Sequence, residues 1–291
     1  MPLLQPRSSL ADTLRAAERE LTQAGIEAAR IQAMALLAHT TGLTRAALLA
    51  RLREPLDHEN AATFRSLIQA RARHHPLQYL VGQASFLDFE VRVAPGVFIP
   101  RPETEQVVER VLALWEPSLP WAIDLCCGSG VIAIALARAR TDSRVTAIDV
   151  SAVALASARA SAADLGVADR IEFVRADLLA ALQLAAPRLD RLGVLVCNPP
   201  YAPRAAVTQP EVRDHEPEIA WSGGPTGIEI YERLIPQAAA LLPAGRPLVL
   251  ELGYGQEASV PALLADPGDW SPPQIKPDFQ GIPRVLSAHR R

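Results

Sequence analysis

The chain has 291 residues, 49% of them hydrophobic, enough for a sizeable core and for two domains or one domain with a large extension. Its 29 basic and 32 acidic residues leave a formal charge of −3, which argues against a general polyanion binder. Cys126, Cys127 and Cys197 make neither a disulfide framework nor a metal-ligand spacing, and the longest apolar run, residues 131–137, is far too short to span a membrane. With no basic, apolar leader at its start, the sequence predicts a cytoplasmic protein in a reducing compartment.

Residues 1–75 read as four short helices. Ser9 can cap the first, with Asp12 three residues on, and Leu10, Leu14, Ala17 and Leu21 mark one face until Gly25. Ile31, Met34, Leu37 and Ala38 mark a second before Gly42, and Thr44 caps a third through Leu52. Asp57 starts a fourth through about His74, with Phe64, Leu67 and Ile68 facing inward. Such helices make a small bundle, with either a plain capping role or a partner-binding one.

Residues 76–105 change texture. Leu77, Tyr79, Leu80 and Val81, then Phe86, Leu87, Phe89, Val91 and Val93, read as a pair of strands around a turn, forming a linker. It closes on Ile99-Pro-Arg-Pro-Glu-Thr-Glu105, where Pro102 suits a first helical position and Glu103 and Glu105 suit a positive helix start. Arg101 is the residue of this segment expected to reach a substrate cleft.

From residue 106 onward strands and helices alternate, which implies a parallel sheet covered on both faces. Helices are expected over 106–114, 131–138, 152–165, 228–242 and 260–264. Strands are expected over 122–125, 145–148, 171–174, 194–196 and 247–252, with a closing hairpin from 274–279 and 283–288. His215 and Glu216 read as loop residues on the surface, and 223–227 as either a flap or a turn leading into a helix.

Two constellations carry chemistry. Asp124-Leu-Cys126-Cys127-Gly128-Ser129-Gly130 lies between a strand and a helix, where glycines let the backbone approach a ligand. Asp149 ends the next strand, where an acid takes a ribose diol, and Asp177 ends the third, placed to accept from an adenine amino group beside Leu178 as an apolar wall. Taken singly, each Asp suits a helix cap or loop equally well. The second constellation is Asn198-Pro199-Pro200-Tyr201 after a short apolar strand. Two prolines end the ladder and hold Asn198 at the strand's carboxyl end, where open parallel sheets bind ligands. The Asn198 side-chain oxygen and the Pro199 carbonyl are both acceptors, which suits an NH2 group donating two hydrogen bonds. A planar amino or amide nitrogen attacks carbon poorly until pulled towards tetrahedral geometry, and two acceptors on its hydrogens favour that change. Tyr201 can lie against the flat face of the group and fix its approach.

An acid after each of three strands and Asn-Pro-Pro-Tyr after the fourth resemble the Rossmann-like S-adenosylmethionine methyltransferases that modify amino nitrogens. With the helical N-terminal domain, Gln78-Tyr-Leu-Val-Gly82, residues 99–105, Glu211-Val-Arg-Asp-His-Glu-Pro217, Gly223-Gly-Pro-Thr-Gly227 and Asp278-Phe-Gln-Gly-Ile-Pro-Arg284, the chain resembles the release-factor glutamine N5-methyltransferase family (HemK/PrmC type) over nearly its whole length.

That resemblance implies an α/β fold: a Rossmann-like methyltransferase domain over 106–291, a β-hairpin linker over 76–105 and a helical substrate-recognition bundle over 1–75. It implies methyl transfer to the glutamine of the Gly-Gly-Gln motif of release factors; a monomer without direct nucleic-acid or membrane contact is expected beside it. Asn198, Pro199, Pro200 and Tyr201 would hold the glutamine, with Asn198 also touching the cofactor. The chain has Cys126-Cys127 where the family usually has Gly-Thr, Ser85 where it tends to have Glu, and Leu178 where an aromatic often stacks. Alternatives are the same reaction on a large-subunit ribosomal protein, adenine N6-methylation, or a non-catalytic cofactor-binding scaffold.

Overall fold

A computed structural model describes residues 8–180, 186–265 and 268–291. The chain divides into two compact units, Met1–Gly82 and Gln83–Arg291.

In the first unit, α1 (Leu10–Gln23) starts at Ser9, whose hydroxyl oxygen accepts from Asp12 N–H, and buries Leu10, Leu14, Ala17 and Leu21 as their spacing predicts. α2 (Ala29–Thr41) ends at Gly42, α3 (Arg45–Ala50) is capped by Thr44, and α4 (His58–Ala72) by Asp57. Phe64 and Ile68 close the core, joined by Ala33, Leu36, Leu37 and Leu48. Ile31, expected inside, is exposed, because α2 begins only at Ala29 and turns Ala33 and Leu36 inward instead. Residues 76–81 are not a strand. Leu77–Val81 forms a helix, α5, that packs on α2 and α4 and ends at Gly82, so Leu77, Leu80 and Val81 lie against the bundle core.

The second unit opens with the antiparallel pair β1 (Gln83–Phe86) and β2 (Phe89–Arg92), in which Phe86 and Phe89 meet edge to face at 5.8 Å. α6 (Thr104–Leu114) begins two residues after Pro102, which sits in the turn before it. Then follow β3 (Trp121–Leu125), α7 (Val131–Ala139), β4 (Arg144–Asp149), α8 (Ala152–Asp164), β5 (Ile171–Arg175) and β6 (Leu192–Cys197). A short crossing segment holds β7 (Ala202–Pro203), α9 (Pro210–His215), α10 (Glu218–Trp221) and β8 (Ser222–Gly224), with β7 and β8 paired in parallel. α11 (Glu229–Leu241), β9 (Pro247–Glu251), α12 (Ser259–Leu263), β10 (Gln274–Pro277) and β11 (Pro283–His289) complete it.

The seven-stranded sheet runs β10-β11-β9-β6-β3-β4-β5. The four links that join β9, β6, β3, β4 and β5 are parallel, and the expected terminal hairpin adds β11 and β10 antiparallel at one edge. Every residue of β6 and β9 is buried, the signature of parallel strands covered on both faces. The chain builds outward from β3 to β5, then returns to build from β6 the other way. β3 and β6 therefore flank the point where strand order reverses, and their carboxyl ends frame a crevice.

Candidate functional site

A cavity of about 600 Å³ opens at that crevice, a volume suited to one nucleoside-sized molecule and a side chain. The loop after β3 supplies Cys126, Cys127, Gly128 and Ser129, the end of β4 supplies Asp149, and the turn after β5 supplies Asp177 and Leu178. Asn198, Pro199, Pro200 and Tyr201 follow β6, and Arg101 and Thr104 enter from the start of α6.

Asp149 is held from two sides. Its Oδ2 accepts from Gly128 N–H at 2.9 Å and its Oδ1 from Ser151 N–H at 2.8 Å, and burial raises its carboxyl above the ordinary range. A carboxylate has further lone pairs for hydroxyl donors. Asp177 lies at the exposed rim, ion-paired with Arg233 of α11, while Leu178 is buried and forms a wall. Cys126 adopts a left-handed backbone and lines the cavity. Burial pushes the Cys127 and Cys197 thiols well above their ordinary range, so both stay protonated.

Two residues of the Gly-rich loop do something other than line the cavity. Asp124 sits inside β3, fully buried, and its Oδ2 accepts from Ala133 N–H at 3.0 Å, so it caps the first turn of α7. Gly130 is the αL residue before α7, where an added Cβ would stand 2.8 Å from the Ala158 Cβ. It lets α7 approach α8, and neither it nor Asp124 lines the cavity.

Asn198 is half-buried at the end of β6, and its amide Nδ2 donates to Thr104 Oγ1 at 3.1 Å. Tyr201 lines the cavity and its hydroxyl donates to Glu251 Oε1 at 3.0 Å; burial, then the nearby Glu251 carboxylate, pushes its phenol well up. Gln256 staples the backbone behind it, with Nε2 donating to the Tyr201 carbonyl at 3.1 Å and to the Gly227 carbonyl at 3.0 Å. Residues 223–227 are built into this wall: a Cβ on Gly223 would stand 2.8 Å from the Pro200 carbonyl oxygen and 2.9 Å from Tyr201 Cα.

Glu216 overturns its surface expectation. It is buried, accepts from Ile99 N–H at 3.2 Å and binds Arg101, whose guanidinium also lies 4.6 Å from the centre of the Phe98 ring. Arg101 thus reaches the cavity as a braced wall residue. Sequence reasoning also passed over Thr104, Glu251 and Gln256. Glu251 was findable, because it closes an apolar strand just as Asp149 does; Thr104 and Gln256 carry no local signal and are recognised only through their partners.

A doubly wound parallel sheet, a nucleoside-sized cavity at its switch point, an acid after the second strand and Asn-Pro-Pro-Tyr after the fourth define a Rossmann-like methyltransferase. The model for the PrmC N-terminal domain matches residues 12–82, and that for the methyltransferase small domain matches residues 108–214. The chain is 41% identical to the release factor glutamine methyltransferase of Moorella thermoacetica over 286 residues, covering 97% of this chain and 99% of that protein. It is 38% identical to the protein of the same name from Mycolicibacterium smegmatis over 282 residues, covering 97% and 98% respectively. The solved hMettl16 catalytic domain in complex with MAT2A 3′UTR hairpin 6 shares the fold at TM-score 0.53 and 14% identity, over 78% of this chain and 80% of that one. The chain belongs to the release factor glutamine methyltransferase family.

Proposed function

We propose that this protein transfers a methyl group from S-adenosylmethionine to the side-chain amide nitrogen, N5, of the glutamine in the Gly-Gly-Gln motif of peptide chain release factors. The observation that carries this reading is Asn198 at the switch point, its nitrogen turned to Thr104 and its oxygen left for a donor in the cavity. The residues fit the cofactor. Asp149 offers acceptor capacity for a ribose diol, Leu178 an apolar wall and Asp177 an acceptor at the rim, while Cys126, Cys127, Gly128 and Ser129 line the floor. When bound, S-adenosylmethionine supplies a methyl already activated on sulfonium sulfur.

The protein's own task is then positioning. The Asn198 oxygen and the Pro199 carbonyl accept the two amide hydrogens of the glutamine. That draws its nitrogen lone pair out of conjugation and fixes the line of attack. Pro199 and Pro200 hold those acceptors by their locked φ angles, and the Tyr201 ring packs beside the amide plane. Arg101, braced by Glu216 and Phe98, closes the cleft on the substrate side. With the cofactor bound, its methyl would pass to the nitrogen so held, and the surplus amide proton would leave to solvent.

We take the helical unit to recognise the protein substrate. We take the protein to act in the cytoplasm as a monomer without direct nucleic-acid or membrane contact. The chain's near-neutral charge supports the lack of direct nucleic-acid contact, and among the described residues no helix is long and apolar enough to cross a membrane. The test separates the two halves of the site. Asp149→Ala is expected to weaken cofactor binding about tenfold or more by calorimetry. Asn198→Ala, which removes one cofactor contact among several, should keep most of the cofactor affinity and lose transfer about a hundredfold. Unchanged transfer by Asn198→Ala contradicts the reading.

A further inference from the structure

The chemistry assigned to Asn198 depends on which way its amide faces, because nitrogen toward the substrate would set donor against donor. Something must fix that orientation. Asn198 Nδ2 donates to Thr104 Oγ1 at 3.1 Å, so the Thr104 oxygen is acting as acceptor and its own hydrogen points elsewhere. Thr104 neighbours the carboxylate of Glu251, at the end of β9 and fully buried, and draws its pKa down, with no hydrogen bond of ordinary geometry joining the two. The same carboxylate accepts the Tyr201 hydroxyl at 3.0 Å, and the Tyr231 hydroxyl donates to the Glu251 main-chain carbonyl at 2.6 Å. Glu251 Oε2 is buried with no hydrogen-bond partner that meets ordinary geometry.

A carboxylate only accepts. Hydroxyls beside it must turn their hydrogens toward it and are left to accept from whatever lies on their far side. That polarity runs outward from Glu251 through Thr104 to Asn198 and puts the Asn198 oxygen in the cavity. Gly253, two residues beyond Glu251, makes room for the arrangement: a Cβ there would stand 2.8 Å from Tyr201 Cδ2.

We propose that Glu251 is a positioning residue for methyl transfer, an acceptor-only anchor that orients the Asn198 amide through Thr104 and the Tyr201 ring through its hydroxyl. This rests on the glutamine-methylating reading of the site. The anchor works only when ionised, since a protonated carboxyl presents a donor to one hydroxyl and frees Thr104 to reverse. Burial pushes the Glu251 carboxyl up to about 7, with Thr104, Tyr201 and Arg284 of β11 pulling it down and Glu103 before α6 pushing it up. Methyl transfer therefore falls on the acid side of neutrality.

The experiment measures kcat and KM between about pH 5.5 and 9 for a purified release factor, with cofactor affinity by calorimetry, for the wild type, Glu251→Gln and Thr104→Val. Wild-type kcat should drop toward about tenfold per pH unit below neutrality. Glu251→Gln should lose about tenfold or more in kcat at pH 8, lose the acid limb, and bind cofactor within about threefold of wild type. Thr104→Val, which keeps the shape and removes the relay, should lower kcat similarly and decides the question if Glu251→Gln does not fold. Wild-type kcat with an intact acid limb in Glu251→Gln, or wild-type kcat in Thr104→Val, overturns the proposal. Failure of the parent reading looks different, because wild-type protein then transfers no methyl to the release factor at any pH.

Discussion

Asp124 and Asp149 look alike in the sequence, each an acid near the carboxyl end of an apolar strand, yet one is structural and one faces the cavity. What separates them is a single place along the strand: Asp124 is followed by Leu125 inside the ladder, whereas Asp149 is the last residue of β4. Asn198 was legible because two prolines declare the strand's end. Glu216 was not, since its burial depends on Ile99 and Arg101 more than a hundred positions away.

Burial raises the Asp124 carboxyl to about 8, so the folded protein holds a proton there that the unfolded chain releases above about pH 4. The folded state binds more protons between those limits, and stability falls as pH rises through them. Asp124→Asn is expected to flatten that decline, read from urea unfolding at pH 5 and pH 8. A pH slope equal to wild type would contradict this account of Asp124.

At the scale of elements, period and caps carried most of the fold. α1, α3 and α4 begin at the capping residues the sequence predicts, and the five parallel strands and the terminal hairpin lie where apolar runs place them. Residues 77–81 defied that logic, because a five-residue, mostly apolar segment has no resolvable period and packing on α2 and α4 chose the helix. α9 and α10 were missed for the same reason, each being a turn or two long. Gly130 shows an element-level constraint hidden in a ligand-like motif. Gly130→Ala forces a left-handed residue with a Cβ against Ala158, and should cost about 1–3 kcal/mol in chemical unfolding. A neutral result would mean that α7 and α8 move apart freely.

Over the whole molecule, the helical unit keeps its own core, and the cavity is lined entirely by residues of the second unit. Leu14→Ala should destabilise the helical unit by about 2–5 kcal/mol while leaving cofactor affinity unchanged by calorimetry. A large loss of cofactor affinity would show that the cavity draws on the helical unit.

The most direct test of the account is mass-spectrometric mapping of methyl transfer from labelled S-adenosylmethionine, with a release factor, a large-subunit ribosomal protein and DNA offered side by side. The account predicts one added methyl on the glutamine of the release factor's Gly-Gly-Gln motif, absent with Asn198→Ala. Transfer only to the ribosomal protein or to DNA, or none while cofactor remains bound, would contradict it.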